Sequence, residues 1–180
     1  MRKVLVAMLL IFASSLPASE AFVEIPIAIG TSQSPARSTE FRTGLGIGWT
    51  HFPVEFYSFH FGYGALTTFS PLFWKGTKDV YTSGFEQDIE ARAYLAYAFD
   101  GTTISFWPYI FIAPQMSMRL VKLSAFGMTD HAFRADFGFR AGGGLKIRFG
   151  DFDVKVDTAA GYGSSGINLQ TTIMFGFGIF

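Results

Sequence analysis

The sequence predicts an all-β protein, a closed, antiparallel, eight-stranded transmembrane up-and-down barrel, and three observations carry that prediction. First, residues 133–149 divide by parity. Phe133, Ala135, Phe137, Phe139, Ala141, Gly143, Leu145, Ile147 and Phe149 carry no charge, whereas Arg134, Asp136, Gly138, Arg140, Gly142, Gly144, Lys146 and Arg148 carry no large apolar group. Alternate residues of a strand point to opposite faces, so this run is one long strand with an apolar wall and a charged, Gly-rich wall. Second, the same alternation recurs along the chain in eight segments. Third, beyond the N-terminus no apolar run approaches the ~20 residues that a transmembrane helix needs, although the chain holds 22 Phe and 20 Gly.

Composition excludes several function classes. Formal net charge is zero, and with no basic block nothing in the composition suggests nucleic acid or an anionic surface as a partner. Cysteine is absent, which excludes a disulfide framework, a thiolate metal site and a lipid-acylated cysteine. At the N-terminus, Arg2 and Lys3 precede the apolar stretch from Val4 to Phe12, Pro17 breaks it, and Ser19-Glu20-Ala21 supplies small residues at the cleavage-determining positions. This reads as a signal peptide, residues 1–21, cleaved after Ala21 to leave a single barrel domain, residues 22–180.

The strands follow in order. The first sets Val23, Ile25, Ile27 and Ile29 against Glu24, Pro26, Ala28 and Gly30, and the second sets Phe41, Thr43, Leu45, Ile47 and Trp49 against Arg42, Gly44, Gly46, Gly48 and Thr50. The third sets Tyr57, Phe59, Phe61 and Tyr63 against Ser58, His60, Gly62 and Gly64; the fourth sets Ile89, Ala91, Ala93, Leu95, Tyr97 and Phe99 against Glu86, Asp88, Glu90, Arg92 and Tyr94. In the fifth, Phe106, Ile110, Ile112, Met116 and Met118 oppose Trp107, Tyr109, Phe111, Gln115 and Arg119. The sixth is the run at 133–149. The seventh sets Phe152, Val154, Val156, Ala160 and Tyr162 against Asp153, Lys155, Asp157 and Gly161, and the eighth sets Leu169, Ile173, Phe175, Phe177 and Ile179 against Asn168, Gln170, Met174, Gly176 and Gly178.

Connections alternate in character. Long, polar or irregular loops are expected at 32–40, 70–84 and 121–131, and short turns around Pro53, at Asp100-Gly101 and at Gly150-Asp151. That asymmetry belongs to bacterial outer-membrane barrels. Glycine then orients the faces. A water-facing strand surface has no use for Gly44, Gly46, Gly48, Gly62, Gly64, Gly138, Gly142 and Gly144, because Gly weakens strands and packs nothing. Inside a narrow barrel, small residues make room for bulky ones such as Trp107, Tyr109 and Phe111. The charged, Gly-rich face therefore points inward and the Phe-rich face toward lipid.

On these features the chain resembles the small eight-stranded outer-membrane barrels of the OmpA, OmpX and OmpW type. The resemblance covers residues 22–180 and includes a terminal Phe180, the family's recognition mark for the outer-membrane insertion machinery; Gly178 and Gly176 stand where that mark usually has aromatic or apolar residues. It implies the outer membrane of a Gram-negative bacterium, contact with outer-membrane lipid and lipopolysaccharide, a monomer, and no cofactor.

The inward charges can be placed further. A two-residue hairpin at Gly150-Asp151 sets Phe149 opposite Phe152, Arg148 opposite Asp153 and Lys146 opposite Lys155. The lysine pair then needs Asp153, Asp157 or a carboxylate from elsewhere in the barrel. Glu86, Asp88 and Glu90 are expected to meet Arg92, Arg119, Arg134 and Arg140, with Asp136 in the same lumen network. Enclosed charges must pair or stay hydrated. The expected role is structural or surface-interacting with a plugged lumen, and the alternatives are a narrow pore or an OmpW-like route for a small apolar ligand.

An enzymatic reading, as in lipid A-modifying barrels, would use Ser58 and His60 with Glu86, Asp88 or Glu90 as orienting carboxylates. A Ser-x-His pair inside a lumen reaches a lipid ester poorly, so no catalysis is expected. His131 beside Asp130 supplies two potential ligands, too few for a metal site. Trp49, Tyr57, Tyr97, Phe99, Phe149 and Phe152 suit an interfacial girdle, while Trp74, Lys75, Lys78 and Asp79 in the longest expected loop suit either contact with lipopolysaccharide or another surface, or a loop with no partner.

Overall fold

Alternation along the chain becomes a wall once neighbouring strands pair. The computed structural model describes residues 21–33, 39–75, 80–125, 128–163 and 166–179. The expected signal segment up to residue 20, the loop residues Lys78 and Asp79, and the terminal Phe180 lie outside the described residues. The strands are β1 (Ala21–Gln33), β2 (Thr39–Phe56), β3 (Phe59–Lys75), β4 (Val80–Tyr97), β5 (Phe99–Asp100), β6 (Ser105–Ala125), β7 (Met128–Phe149), β8 (Phe152–Gly163) and β9 (Gly166–Ile179). The two-residue β5 continues β4 past Ala98 and pairs with β6, so the wall has eight staves. Each pairs antiparallel with its neighbours in sequence, and β1 with β9 closes the ring.

The register fixes how steeply the staves lean. Partners run from Glu24 through Gly48, Leu66, Glu90, Gln115, Gly138 and Gly163 to Gly166. Gly166 lies two residues before Asn168, the partner of Ser32, so the circuit returns to β1 two positions beyond Ser32, ten residues above Glu24. That shift over eight strands, at ~3.3 Å per residue and ~4.8 Å between strands, tilts them by about 40°.

Burial follows the parity of the sequence. On β8 the pattern alternates strictly, with Asp153, Lys155, Asp157 and Ala159 buried and Val156 exposed on the other face. Outward residues such as Ile47, Ile112, Phe139 and Phe177 are half or more exposed. Polar groups on this outer wall satisfy one another: Gln87 Nε2 donates to Thr67 Oγ1 at 3.2 Å, and the Thr158 and Thr171 hydroxyls lie 3.1 Å apart. Gly62 shows why the inner face is Gly-rich, since a Cβ there would lie 2.5 Å from the Phe52 ring.

Three connections differ from expectation. The turn expected around Pro53 sits at Tyr57-Ser58, and Pro53 instead occupies a bulge in β2 between His51 and Val54, where its missing N–H costs no ladder bond. Tyr57 closes that turn with φ of 55°, a left-handed conformation uncommon for a residue with a Cβ. The loops expected at 70–84 and 121–131 are mostly strand, since β3 reaches Lys75, β4 begins at Val80, β6 reaches Ala125 and β7 begins at Met128. A ladder with water on both faces needs no apolar alternation, so the pattern that marks a membrane strand stops before the pairing does.

The wall is consequently uneven. β7 meets β8 only from Gly138 downward, and β2 meets β3 only from Leu45 downward. β3, β4, β6 and β7 rise together as a four-stranded sheet above the short β8–β9 hairpin.

Candidate functional site in the barrel interior

From the turn end upward, the inner face is built in three layers. The lowest is aromatic. Trp107 stacks on His60 with ring centroids 4.1 Å apart and meets Phe52 edge-on at 5.5 Å. Into this cluster β7 sends Lys146, whose Nζ lies 3.7 Å from the Phe22 ring centroid, 4.8 Å from that of Trp107 and 5.2 Å from that of Phe52. Its ammonium is 3.2 Å from Asp153 Oδ2. A cation over several ring faces gains from their quadrupoles when water is excluded.

The middle layer is ionic. Lys155, opposite Lys146 in the register, pairs with Glu24 and donates to Thr50 Oγ1 at 2.7 Å, and Thr50 in turn donates to Glu24. Arg92 bridges two carboxylates, with Nε 2.8 Å from Glu90 and Nη1 2.7 Å from Asp157, while its guanidinium lies 4.3 Å from the Phe111 centroid. Tyr109 donates to Asp157 at 3.1 Å. Arg140 reaches the other oxygen of Glu90 and donates from Nε to Asn168 at 3.3 Å. Lys146, Lys155, Arg92 and Arg140 thus balance Asp153, Glu24, Asp157 and Glu90, and each of the eight is at most 3% exposed. Burial at this depth is tolerated because every charge has an opposite neighbour.

The top layer opens toward the mouth. Arg119 lies 3.3 Å from Glu86, Asp88 accepts the Ser117 hydroxyl, and Gln115 donates to Ser117 at 2.8 Å. Asp88 therefore meets a hydroxyl where an arginine was expected. Arg134 meets none of the β4 carboxylates; it pairs with Asp136 two residues away on its own strand and is about half exposed, because β7 has left the ring at this height. Arg148 donates to the Gly150 carbonyl at 3.1 Å beside the Phe22 ring.

The two partners of Lys155 were not singled out from sequence. Glu24 is the one charge on the inner face of β1, and Thr50 is the polar residue that follows the glycines on the inner face of β2. Either could have been found by asking which inward group stands near Lys155, but that requires the β9 register between β1 and β8.

The residues considered for catalysis do not assemble. Ser58 lies in the turn and His60 faces Ala96, whereas Glu90 faces Leu66, six residues further up β3 and therefore ~20 Å away. Among the described residues no group of three or more His, Cys, Asp or Glu is placed to hold a metal ion.

No protein-family model matches the chain, and no curated protein does. Solved structures do. Ail, the attachment invasion locus protein of Yersinia pestis, is 13% identical with a TM-score of 0.56, over 89% of this chain and 97% of Ail. Neisserial surface protein A is 12% identical with a TM-score of 0.54, over 88% and 97%. The N-terminal β-barrel domain of Pseudomonas aeruginosa OprF is 14% identical with a TM-score of 0.51, also over 88% and 97%. At such identities the likeness establishes the fold, a small eight-stranded outer-membrane-type barrel.

Proposed function

We propose that this chain is an integral outer-membrane β-barrel of a Gram-negative bacterium, with a structural or surface-interaction role and a lumen closed to ions. The observation that carries the closed lumen is the succession of layers: the aromatic cluster holding Lys146 with Asp153 below, and Lys155, Arg92 and Arg140 matched by Glu24, Asp157 and Glu90 above. An eight-stranded barrel encloses little more than its own side chains, and here those side chains are bound to one another.

The outer-membrane placement is supported by the exposed apolar wall and by the fold shared with outer-membrane barrels. A surface role is supported by the description of two similar structures as an attachment invasion protein and a surface protein. Its partners in this reading are outer-membrane lipid, lipopolysaccharide and the insertion machinery, and it works as a monomer. Two measurements test it. Membrane fractionation of the expressed chain should place it in the outer membrane, and the refolded barrel in planar bilayers should show no stable conductance steps. Stable conductance that disappears on changing Arg140 would overturn the closed lumen in favour of a narrow pore.

A further inference from the structure

The taller wall carries a feature on its outer face that the lumen does not use. Register places Phe85, Leu120 and Phe133 side by side on β4, β6 and β7, and they are 43%, 51% and 67% exposed. Two residues higher, the next outward row is Ser83, Lys122 and His131. Lys122 and His131 are both exposed, and Lys122 makes no ion pair or hydrogen bond among the described residues. Among the described side chains it is also the one Lys or Arg on the outward-facing parity of the wall, since the others belong to the inner face.

Height decides what this row meets. On β8 the outward apolar face runs from Phe152 to Tyr162, a ten-residue span that at ~3.3 Å per residue and ~40° tilt covers about 25 Å of the barrel axis, the apolar band of an outer-membrane barrel. On β6 the same face begins at Phe106 and reaches Leu120, four residues more and about 10 Å higher. Leu120 and Phe133 therefore stand above the hydrocarbon, at headgroup level, and Lys122 about 5 Å beyond them.

We propose that Phe85, Leu120, Phe133, Lys122 and His131 form a seat for the phosphorylated head of an outer-leaflet lipid, with the Lys122 ammonium on the phosphate. This rests on the outer-membrane reading above. The seat is continuous with the lipid-facing wall of the same strands, where Ile110 and Ile112 lie below Leu120. A lipid already packed on that wall presents its phosphate to the first cation above it. An exposed ammonium is a compact charge suited to a phosphate, and a basic residue at an anionic membrane surface contributes about fivefold in affinity.

The test uses the refolded full chain in phosphatidylethanolamine vesicles holding either bisphosphorylated lipid A or the same lipid stripped of phosphate. After extraction and washing, mass spectrometry counts the lipid A retained per barrel. The parent should retain the phosphorylated form about fivefold better. Lys122→Gln should erase that preference, Lys122→Arg should keep it, and millimolar inorganic phosphate should leave it in place. Equal retention by the parent and Lys122→Gln overturns the seat, as does displacement by inorganic phosphate, which would mark a site for the free anion. If Lys122→Gln fails to fold, as judged by circular dichroism, Lys122→Arg and the phosphate-free lipid still decide. A parent that does not insert into vesicles overturns the membrane reading and the seat together, whereas insertion without phosphate preference overturns the seat alone.

Discussion

Lys146 and Lys155 stand directly opposite each other on β7 and β8, both fully buried, and different carboxylates hold them: Asp153 for Lys146 and Glu24 for Lys155. Two like charges at a cross-strand position repel. The barrel relieves this by giving each ammonium its own partners, Asp153 and the Phe22 ring for Lys146 and Glu24 with Thr50 for Lys155, while both stand over the Phe52 ring. Glu24→Gln should therefore leave Lys155 uncompensated and cost about 3–5 kcal/mol. The double variant Glu24→Leu with Lys155→Met should recover most of that loss, because it removes both charges from the interior. Urea unfolding of the reconstituted barrel measures both. A Glu24→Gln variant as stable as the parent would show that the pair contributes nothing.

Trp107 touches three members of the lowest layer, Phe52, His60 and Lys146. Trp107→Ala should cost about 3–5 kcal/mol by leaving a cavity among them, and on the proposed closed lumen it should also open the lower layer. Planar-bilayer recording should then show brief openings absent from the parent. The ionic layer above remains, so the openings should be short. Silence from a stably folded Trp107→Ala barrel would assign the closure to the ionic layer alone.

Arg92 joins Glu90 to Asp157 and so ties β4 to β8 across the interior. Arg92→Met strands the Asp157 carboxylate with only Tyr109 as a described donor and leaves Glu90 to Arg140. The loss should be about 3–5 kcal/mol. Arg92→Met combined with Asp157→Asn should be more stable than Arg92→Met alone, and thermal melts of the three proteins decide the order.

How much of this was legible in the sequence depended on where each residue sits. Along 133–149 parity alone separated Phe139 and Leu145, which are exposed, from Arg140 and Lys146, which are buried, because one face of that stretch meets the interior and the other does not. The register at Gly150-Asp151 was legible too, since a two-residue turn leaves a single way to pair Phe149 with Phe152. The tops of β3, β4, β6 and β7 were not: on the outward parity Lys122 and Thr129 are exposed and polar and Ser83 is half-buried and polar, so the apolar alternation that could be read lower down is lost there. Nor was the choice of ion-pair partners. Arg134 and Arg140 belong to the same inward set, yet Arg140 is enclosed and Arg134 half exposed, a difference set by where β8 ends. Parity gives a residue its face, whereas its height and partners come from the closure of the ring.

The membrane reading of the outer wall makes a depth-dependent prediction. Ile112 and Leu120 lie on the same outward face of β6 and are about equally exposed, at 53% and 51%. In water, a charge at either position would cost little and the same. In a bilayer, Ile112 lies near the middle of the apolar band and Leu120 at its upper edge or above, about 20 Å apart along the barrel axis at ~3.3 Å per residue and ~40° tilt. Ile112→Arg should then cost about 2–4 kcal/mol and Leu120→Arg no more than about 1 kcal/mol. Reversible unfolding from vesicles, with both variants measured against the parent, gives the two values. The difference between them carries the inference, because exposure, strand and substituted group are matched and depth alone changes. Equal costs at the two positions would remove lipid from the outer wall and leave its Phe-rich surface without an explanation.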